Sequence, residues 1–325
     1  MIFTFLGSSA GLPTKQRNVS GLAIRMSNQK LWCLVDCGEG TQHQLLHAPY
    51  SLNALAAIFI THMHGDHTFG LPGLLASAAM AGRTEPLTIV GPEQLQSYVK
   101  QSLLLTDSHL SYPLIFKQSQ SITESMMVAG MKVTPWPLSH RVPCHAWQFT
   151  EHALPHQLNQ GKLEQEGIAK GPVWGQIQRQ TGVIEYQGRQ LLCEDYWLTS
   201  HQGHSIIVAG DNDQPELLAA AAANSQVLIH EATYSQEIAD KVGPAPMHSS
   251  ARQVATFAQQ AGLAHLLLTH FSARYGGAGK MSVQQLAQEA QSVYQGQLAL
   301  ANDLDSYQLK SDGKLHYLPP EGAKS

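Results

Sequence analysis

Four residues able to bind a divalent cation fall within six positions: His62, His64, Asp66 and His67, in the run Thr61-His62-Met63-His64-Gly65-Asp66-His67. Imidazole and carboxylate are donors that a borderline cation such as zinc accepts readily. Side chains two apart in an extended segment point to the same side, so His62 and His64 can share one ion. Asp66 and His67, at the start of an incoming helix, can face a second ion, and Gly65 permits the tight turn between the pairs. Four donors do not complete two sites. More are expected at other strand ends, where His140 follows residues 133–138, Asp211 closes Ala209-Gly210-Asp211, and His270 closes Leu266-Leu267-Leu268-Thr269-His270. Each also has a plainer use: Asp211 as a helix cap ahead of Pro215, His140 as a turn residue, His270 as a hydrogen-bonded histidine ending a strand.

The elements that must position these residues alternate in type. Residues 2–6, 21–26, 31–35 and 57–61 read as strands from their apolar content. Residues 41–47 and 68–81 read as helices after Gly-containing turns, and 92–105 opens with Pro at an early helical position. The pattern resumes with strands at 205–209, 227–230 and 266–269 and helices at 214–223, 250–260 and 282–294. Two sheets with helices on their outer faces, a four-layer αββα sandwich of the α/β (α+β) class, accommodate this order. Between about 150 and 200 the periodicity fails, and Gly161, Gly167, Gly171, Gly175, Gly182 and Gly188 punctuate the chain, which suggests an inserted, flexible, protruding arm. Residues from about 304 to 325 read as a hairpin, 307–310 with 314–318 around Ser311-Asp312-Gly313, ending in a polar tail.

Composition sets wider bounds. A chain of 325 residues, 43% hydrophobic, can bury a sizeable core in one large or two ordinary domains. Its longest apolar stretches, 54–60 and 217–223, fall short of the ~20 residues of a membrane span. The first residues carry no basic leader and read as a strand, so residence in the cytoplasm is expected. Cys33, Cys37, Cys144 and Cys193 form no C-x-x-C pair, which points to free thiols. Histidine is in excess: 17 are present, against roughly seven or eight for ordinary usage. A net charge of −4 gives no basic signature for a nucleic-acid partner. Bound cations and a few placed Arg and Lys can nonetheless hold phosphates locally.

The order H-x-H-x-D-H followed by H, D and H at strand ends resembles the metallo-β-lactamase superfamily. Further segments resemble the ribonuclease Z family of tRNA 3′-processing endonucleases within it: Gly7-Ser8-Ser9-Ala10-Gly11-Leu12-Pro13 with Arg17-Asn18, Leu34-Val35-Asp36-Cys37-Gly38-Glu39-Gly40-Thr41-Gln42, His230-Glu231-Ala232-Thr233, His248-Ser249-Ser250 and His270-Phe271-Ser272-Ala273-Arg274-Tyr275. The resemblance runs over nearly the whole chain. It implies that His62, His64 and His140 bind one Zn²⁺ and Asp66, His67 and His270 a second, with Asp211 bridging the two ions of each subunit. Mn²⁺ or Co²⁺ suits the same donors. Asp66 is then the implied general base, His248 backed by Glu231 the proton donor or orienter, and Arg274 a contact to substrate phosphate.

The implied reaction is removal of the 3′ trailer from precursor tRNA by a metal-held hydroxide, leaving a 3′-hydroxyl and a 5′-phosphate. The implied assembly is a homodimer in which the arm of one subunit grips tRNA bound to the other. Gly171-Pro172-Val173-Trp174-Gly175, with Lys162, Lys170, Arg179 and Arg189, corresponds to that arm. Ala169-Lys170 stands where family members often have prolines, and Asn212 follows Asp211 where threonine is usual. A small-molecule phosphodiesterase or lactonase on the same fold is the alternative enzyme, and a metal-stabilised RNA-binding protein without turnover is the alternative outside catalysis.

Overall fold

The structure is a computed structural model that describes residues 1–152, 156–198, 203–276 and 281–319. It divides into two compact units, residues 1–150 with 204–325, and residues 151–203.

The larger unit is built on two sheets. One has eight strands in the order Leu315–Leu318, Ser306–Leu309, Ile2–Gly7, Gly21–Arg25, Trp32–Val35, Leu55–Phe59, Leu87–Gly91 and Leu114–Gln118, the last four parallel to one another. The other has seven, in the order Gln297–Leu300, His265–Thr269, Val227–Glu231, Ser205–Val208, Cys144–Glu151, Met131–Leu138 and Met126–Val128, the first four parallel. Between the sheets the Phe59 ring meets Trp147 at 5.0 Å and Phe149 at 5.4 Å. The opposite faces bury against helices. Leu71, Leu74 and Leu75 of the helix Leu71–Met80 pack with Leu34, Ile58 and Ile89 on one side. On the other, Val254, Phe257 and Ala258 of Ala251–Gln260 and Leu286 and Ala290 of Val283–Gln291 pack with Ile207, Leu228 and Leu266. The expected αββα sandwich is therefore present. Among the described residues no helix is long and apolar enough to cross a membrane.

Several boundaries depart from the sequence reading. The helix expected over 68–81 is two, Gly65–Thr68 and Leu71–Met80. Between them, a Cβ on Gly70 would lie 2.1 Å from the Gly38 carbonyl, so the chain turns where another loop presses against its backbone. The helix expected over 214–223 begins as the 3₁₀ turn Pro215–Leu218 and becomes α only at Ala219–Ala222. At the C-terminus Ser306–Leu309 pairs with Leu315–Leu318 and extends the larger sheet through pairing of Ser306–Leu309 with Ile2–Gly7; the polar tail from 320 on lies outside the described residues.

The smaller unit has its own architecture. Helices Gln160–Gln165 and Pro172–Arg179, the hairpin Val183–Tyr186 with Arg189–Leu192, and the 3₁₀ turn Cys193–Tyr196 enclose Leu163, Ile168, Trp174, Ile177, Leu191 and Tyr196. Periodicity failed here because each element is too short to display it. Some of its cations are engaged within the unit: Lys162 Nζ donates to the Asp195 carbonyl at 3.0 Å, and Arg189 to the Glu166 carbonyl at 3.0 Å.

Candidate metal centre

Carboxyl ends of strands bring the site together, as ligand sites in parallel sheets generally require. Asp36 follows Trp32–Val35 and His62 follows Leu55–Phe59 in one sheet. His140, Asp211, Glu231 and His270 stand at or just past the ends of Met131–Leu138, Ser205–Val208, Val227–Glu231 and His265–Thr269 in the other.

The seven expected donors form two groups. In the first, His62 Nε2 lies 3.1 Å from His64 Nδ1, and His140 Nε2 lies 3.2 Å from that same atom. Asp211 Oδ2 is 3.6 Å from His62 Nε2 and 3.7 Å from His140 Nε2. In the second, His67 Nε2 and His270 Nε2 are 3.3 Å apart, and Asp66 Oδ2 is 3.5 Å from the first and 3.3 Å from the second. Asp211 Oδ1 completes this group at 3.5 Å from His67 Nε2 and 3.4 Å from His270 Nε2. A tetrahedral cation bonded at ~2.1 Å to each donor needs donors ~3.4 Å apart, which is the spacing in both groups. Asp211 divides its two oxygens between them.

The histidine protons are accounted for by the surrounding shell. His62 Nδ1 lies 3.0 Å from Thr61 Oγ1, His67 Nδ1 2.7 Å from Asp36 Oδ2, His140 Nδ1 3.0 Å from the Met247 carbonyl, and His270 Nδ1 3.1 Å from Thr233 Oγ1. Donation of Nδ1–H to these acceptors leaves each Nε2 lone pair facing inward, the tautomer a cation requires. Four lone pairs converging without a shared proton are unfavourable unless a cation sits among them, so the donor chemistry fits divalent metals. Three residues in this shell or donor set, Asp36 (φ 57), Met247 (φ 56) and His270 (φ 56), adopt left-handed backbone conformations that non-glycine residues rarely take.

Electrostatics point the same way. Burial, then the neighbouring imidazoles, holds His62 well below its ordinary pKa. Burial likewise lowers His64 and His140. His67 is different: burial pulls it down, but Asp36, Asp211 and Asp66 together hold it well above the ordinary value, a sign that this half of the site calls for positive charge. For Asp66, burial would raise the carboxyl, yet His67 and His270 hold it far below the carboxylate range. The Gly11 N–H donates to Asp66 Oδ2 at 2.7 Å and fixes that side chain.

Beside the donors, His248 Nδ1 donates to Glu231 Oε1 at 2.9 Å. Burial lowers His248, but the Glu231 charge and hydrogen bond, supported by Asp211 and Asp66, reverse this and raise it to about 9. Glu231 is fully buried and held by the Asn212 N–H at 3.0 Å and the Thr233 hydroxyl at 2.5 Å. Asn212, despite the departure noted in the sequence, also accepts from the Ser139 N–H at 3.2 Å and reaches His230 Nε2 at 3.1 Å. It thereby ties the His140 loop to the Glu231 strand. Arg274 is exposed, its guanidinium 5.3 Å from the Tyr234 ring centroid, and Tyr234 lies edge-on to His248 at 6.0 Å.

Asp36, Thr61 and Thr233 contact His67, His62 and His270, and the sequence reading left all three unassigned. Asp36 and Thr233 stand within segments quoted for the resemblance, and their positions at strand ends were the available signal.

Comparisons with known proteins place the fold in a wider context. A family model described as anti-Pycsar protein Apyc1 matches residues 1–118. The ribonuclease Z of Marinobacter nauticus is 53% identical over 318 residues, covering 97% of this chain and 98% of that protein. The crystal structure of human tRNase Z, short form (ELAC1), aligns with a TM-score of 0.66 at 24% identity, covering 95% of this chain and 100% of that chain. The metallo-β-lactamase fold protein YhfI from Bacillus subtilis aligns with a TM-score of 0.65 at 20% identity, covering 94% of this chain and 97% of that chain. The four-layer sandwich is thus the metallo-β-lactamase fold.

Proposed function

The chain belongs to the ribonuclease Z family, and on that premise we propose that it is a metal-dependent endoribonuclease removing the 3′ trailer from precursor tRNA, with a 3′-hydroxyl and a 5′-phosphate as products. The observation that carries this reading is the division of the Asp211 carboxylate between two complete donor groups, with the Glu231–His248 pair beside them.

His62, His64 and His140 would hold one ion and Asp66, His67 and His270 the other, with Asp211 common to both. Zinc suits this donor set, and Mn²⁺ or Co²⁺ can use it too. Such a pair of ions activates water near neutral pH and offsets charge on the phosphoryl oxygens. The remaining steps belong to the protein. Asp66, fixed through Oδ2 by Gly11, has Oδ1 without a hydrogen-bond partner among the described residues, available to take a proton from the attacking water. His248, oriented through Nδ1 by Glu231, presents Nε2 to the departing ribose 3′-oxygen and supplies its proton. Arg274, set beside this pair by Tyr234, would contact a substrate phosphate.

Residues 151–203 correspond to the arm that would grip tRNA, in a cytoplasmic homodimer where each arm serves the partner's site. The decisive experiment is incubation of purified protein, its metal content quantified, with a precursor tRNA, followed by mapping of both product ends. A cut just after the discriminator base, dependent on divalent metal, is expected. Failure to cut any precursor, with turnover of a small phosphodiester, would overturn the RNA reading in favour of a small-molecule phosphodiesterase.

A further inference from the structure

Phe69 follows the donor run by two residues and is 66% exposed. Its N–H donates to the Gly65 carbonyl at 2.8 Å, closing the short helix Gly65–Thr68. That turn lays the ring back over Gly65, where a Cβ would stand 2.2 Å from Cε2 and 2.3 Å from Cζ. The absence of a side chain at Gly65 therefore serves more than the turn, because it also seats the aromatic ring. Gly65 separates His64, a donor of the first group, from Asp66, a donor of the second, and all three are only partly buried. The ring consequently forms a solvent-facing apolar surface next to the junction of the two donor groups.

An exposed phenylalanine needs no explanation by itself. This one is seated against the Gly65 backbone beside the donor groups, so the group it most readily covers is one carried there by the substrate. In the reaction proposed above, the chain at the cut is single-stranded RNA, whose unpaired bases stack on aromatic side chains irrespective of sequence. We propose that Phe69 is a stacking platform for the nucleobase adjoining the scissile phosphate, and thus a specificity-determining residue that favours unpaired nucleotides at the cut. This inference rests on the RNA reading of the site.

The test measures binding without turnover. A precursor tRNA carrying 2-aminopurine at each nucleotide flanking the cut in turn is titrated with metal-loaded His248→Ala protein, alone and combined with Phe69→Ala, Phe69→Leu or Phe69→Trp. With Phe69 present, fluorescence should be quenched at one flanking position. Phe69→Ala should abolish the quenching and weaken binding roughly 5- to 150-fold, the range equivalent to ~1–3 kcal/mol for a stacked base. Phe69→Trp should restore both, whereas Phe69→Leu, apolar but without a π face, should not. An abasic nucleotide at the quenched position should weaken binding to Phe69 protein and erase its advantage over Phe69→Ala. Unchanged quenching and affinity in Phe69→Ala overturns the stacking role while leaving the RNA reading intact. Loss of self-association in Phe69→Ala, seen by sedimentation, also overturns it by making the ring an interface residue. Absence of precursor binding by any of these proteins, and of cleavage by the wild-type chain, overturns both.

Discussion

Asp36 touches no reacting group in this scheme, yet its replacement by asparagine should disable one half of the metal centre. Its Oδ2 accepts from His67 Nδ1 at 2.7 Å and from the Thr61 hydroxyl at 2.8 Å, and its Oδ1 accepts from the Thr61 N–H at 2.8 Å. Asparagine tolerates the left-handed backbone of this position (φ 57), so the substitution adds little strain. It does convert one acceptor into a donor. With the amide oxygen retained by the Thr61 N–H, the amide NH₂ faces His67 Nδ1, and the imidazole relieves that clash only by moving its proton to Nε2, the atom that faces the second donor group. Loss of such a supporting carboxylate costs about 10- to 100-fold in metal affinity, or ~1.4–2.7 kcal/mol. If the imidazole instead keeps its proton on Nδ1, the form that can bind metal, a donor is left buried and unpaired at a cost of ~1–3 kcal/mol. The assay is calorimetric titration of metal-free protein with Zn²⁺. Two equivalents should bind wild type tightly, whereas Asp36→Asn should weaken one of them selectively, in common with His67→Ala. If Asp36→Asn binds both equivalents within twofold of wild type while His67→Ala loses one, the tautomer argument is wrong.

Asp211→Asn, in contrast, should weaken both equivalents, since each donor group loses an anionic oxygen, and elemental analysis of the purified variant should find little metal. His248→Ala should retain the wild-type metal content but lower kcat by ~10²–10⁴, the usual contribution of a positioned proton donor, as single-turnover cleavage of precursor tRNA would measure. Excision of residues 151–203, the limits of the smaller unit, should abolish precursor cleavage while sparing hydrolysis of a small chromogenic phosphodiester. Unimpaired tRNA processing after that excision would remove the arm from substrate recognition. All four thiols should resist alkylation at pH 8 until the protein unfolds, because Cys33, Cys37, Cys144 and Cys193 are buried and burial pushes each thiol up in pKa, Cys33 to about 12. Rapid labelling of native protein, read by mass spectrometry, would contradict the packing around them.

How much of this was legible before the structure depended on the range over which each feature is encoded. The donor run His62 to His67 is local: spacing within one strand end and one turn sets which way its members point, and the sequence displays that spacing directly. His140, Asp211 and His270 were legible as strand-end residues because apolar runs precede them, although only the sheets bring their atoms to a common centre. The supporting residues were harder to identify. Asp36 reaches His67 because Trp32–Val35 lies parallel to Leu55–Phe59 with Val35 opposite Phe59, after which the Asp36 N–H bonds to the Phe59 carbonyl. A shift of that register would carry the carboxylate away from His67 and Thr61. Nothing in the composition of either strand announces that pairing.

The same distinction accounts for the other departures. The break at Gly70 is imposed by the Gly38 carbonyl from a distant loop, a constraint invisible to helical periodicity. The smaller unit shows no pattern in sequence because its core is assembled from helices, a hairpin and a 3₁₀ turn too short for a periodic signal. Asn212 runs the other way: an atypical residue in the sequence proves to have partners for its side-chain oxygen and amide and for its backbone N–H. Residue identity next to a ligand is therefore a poor guide to support unless the partners that converge on it are known. Here Ser139 follows one strand of the seven-stranded sheet and His230 and Glu231 end another, and their convergence on Asn212 fixes the loop that presents Asp211. Substituting the usual threonine at 212 tests this argument, since a shorter side chain with one hydroxyl cannot serve the Ser139 N–H, the Gln214 N–H and His230 Nε2 together. Asn212→Thr should lose ~1–3 kcal/mol of stability for a group left unpaired, measured by denaturant unfolding of the metal-loaded protein, and a more stable variant would refute the hub role assigned to Asn212.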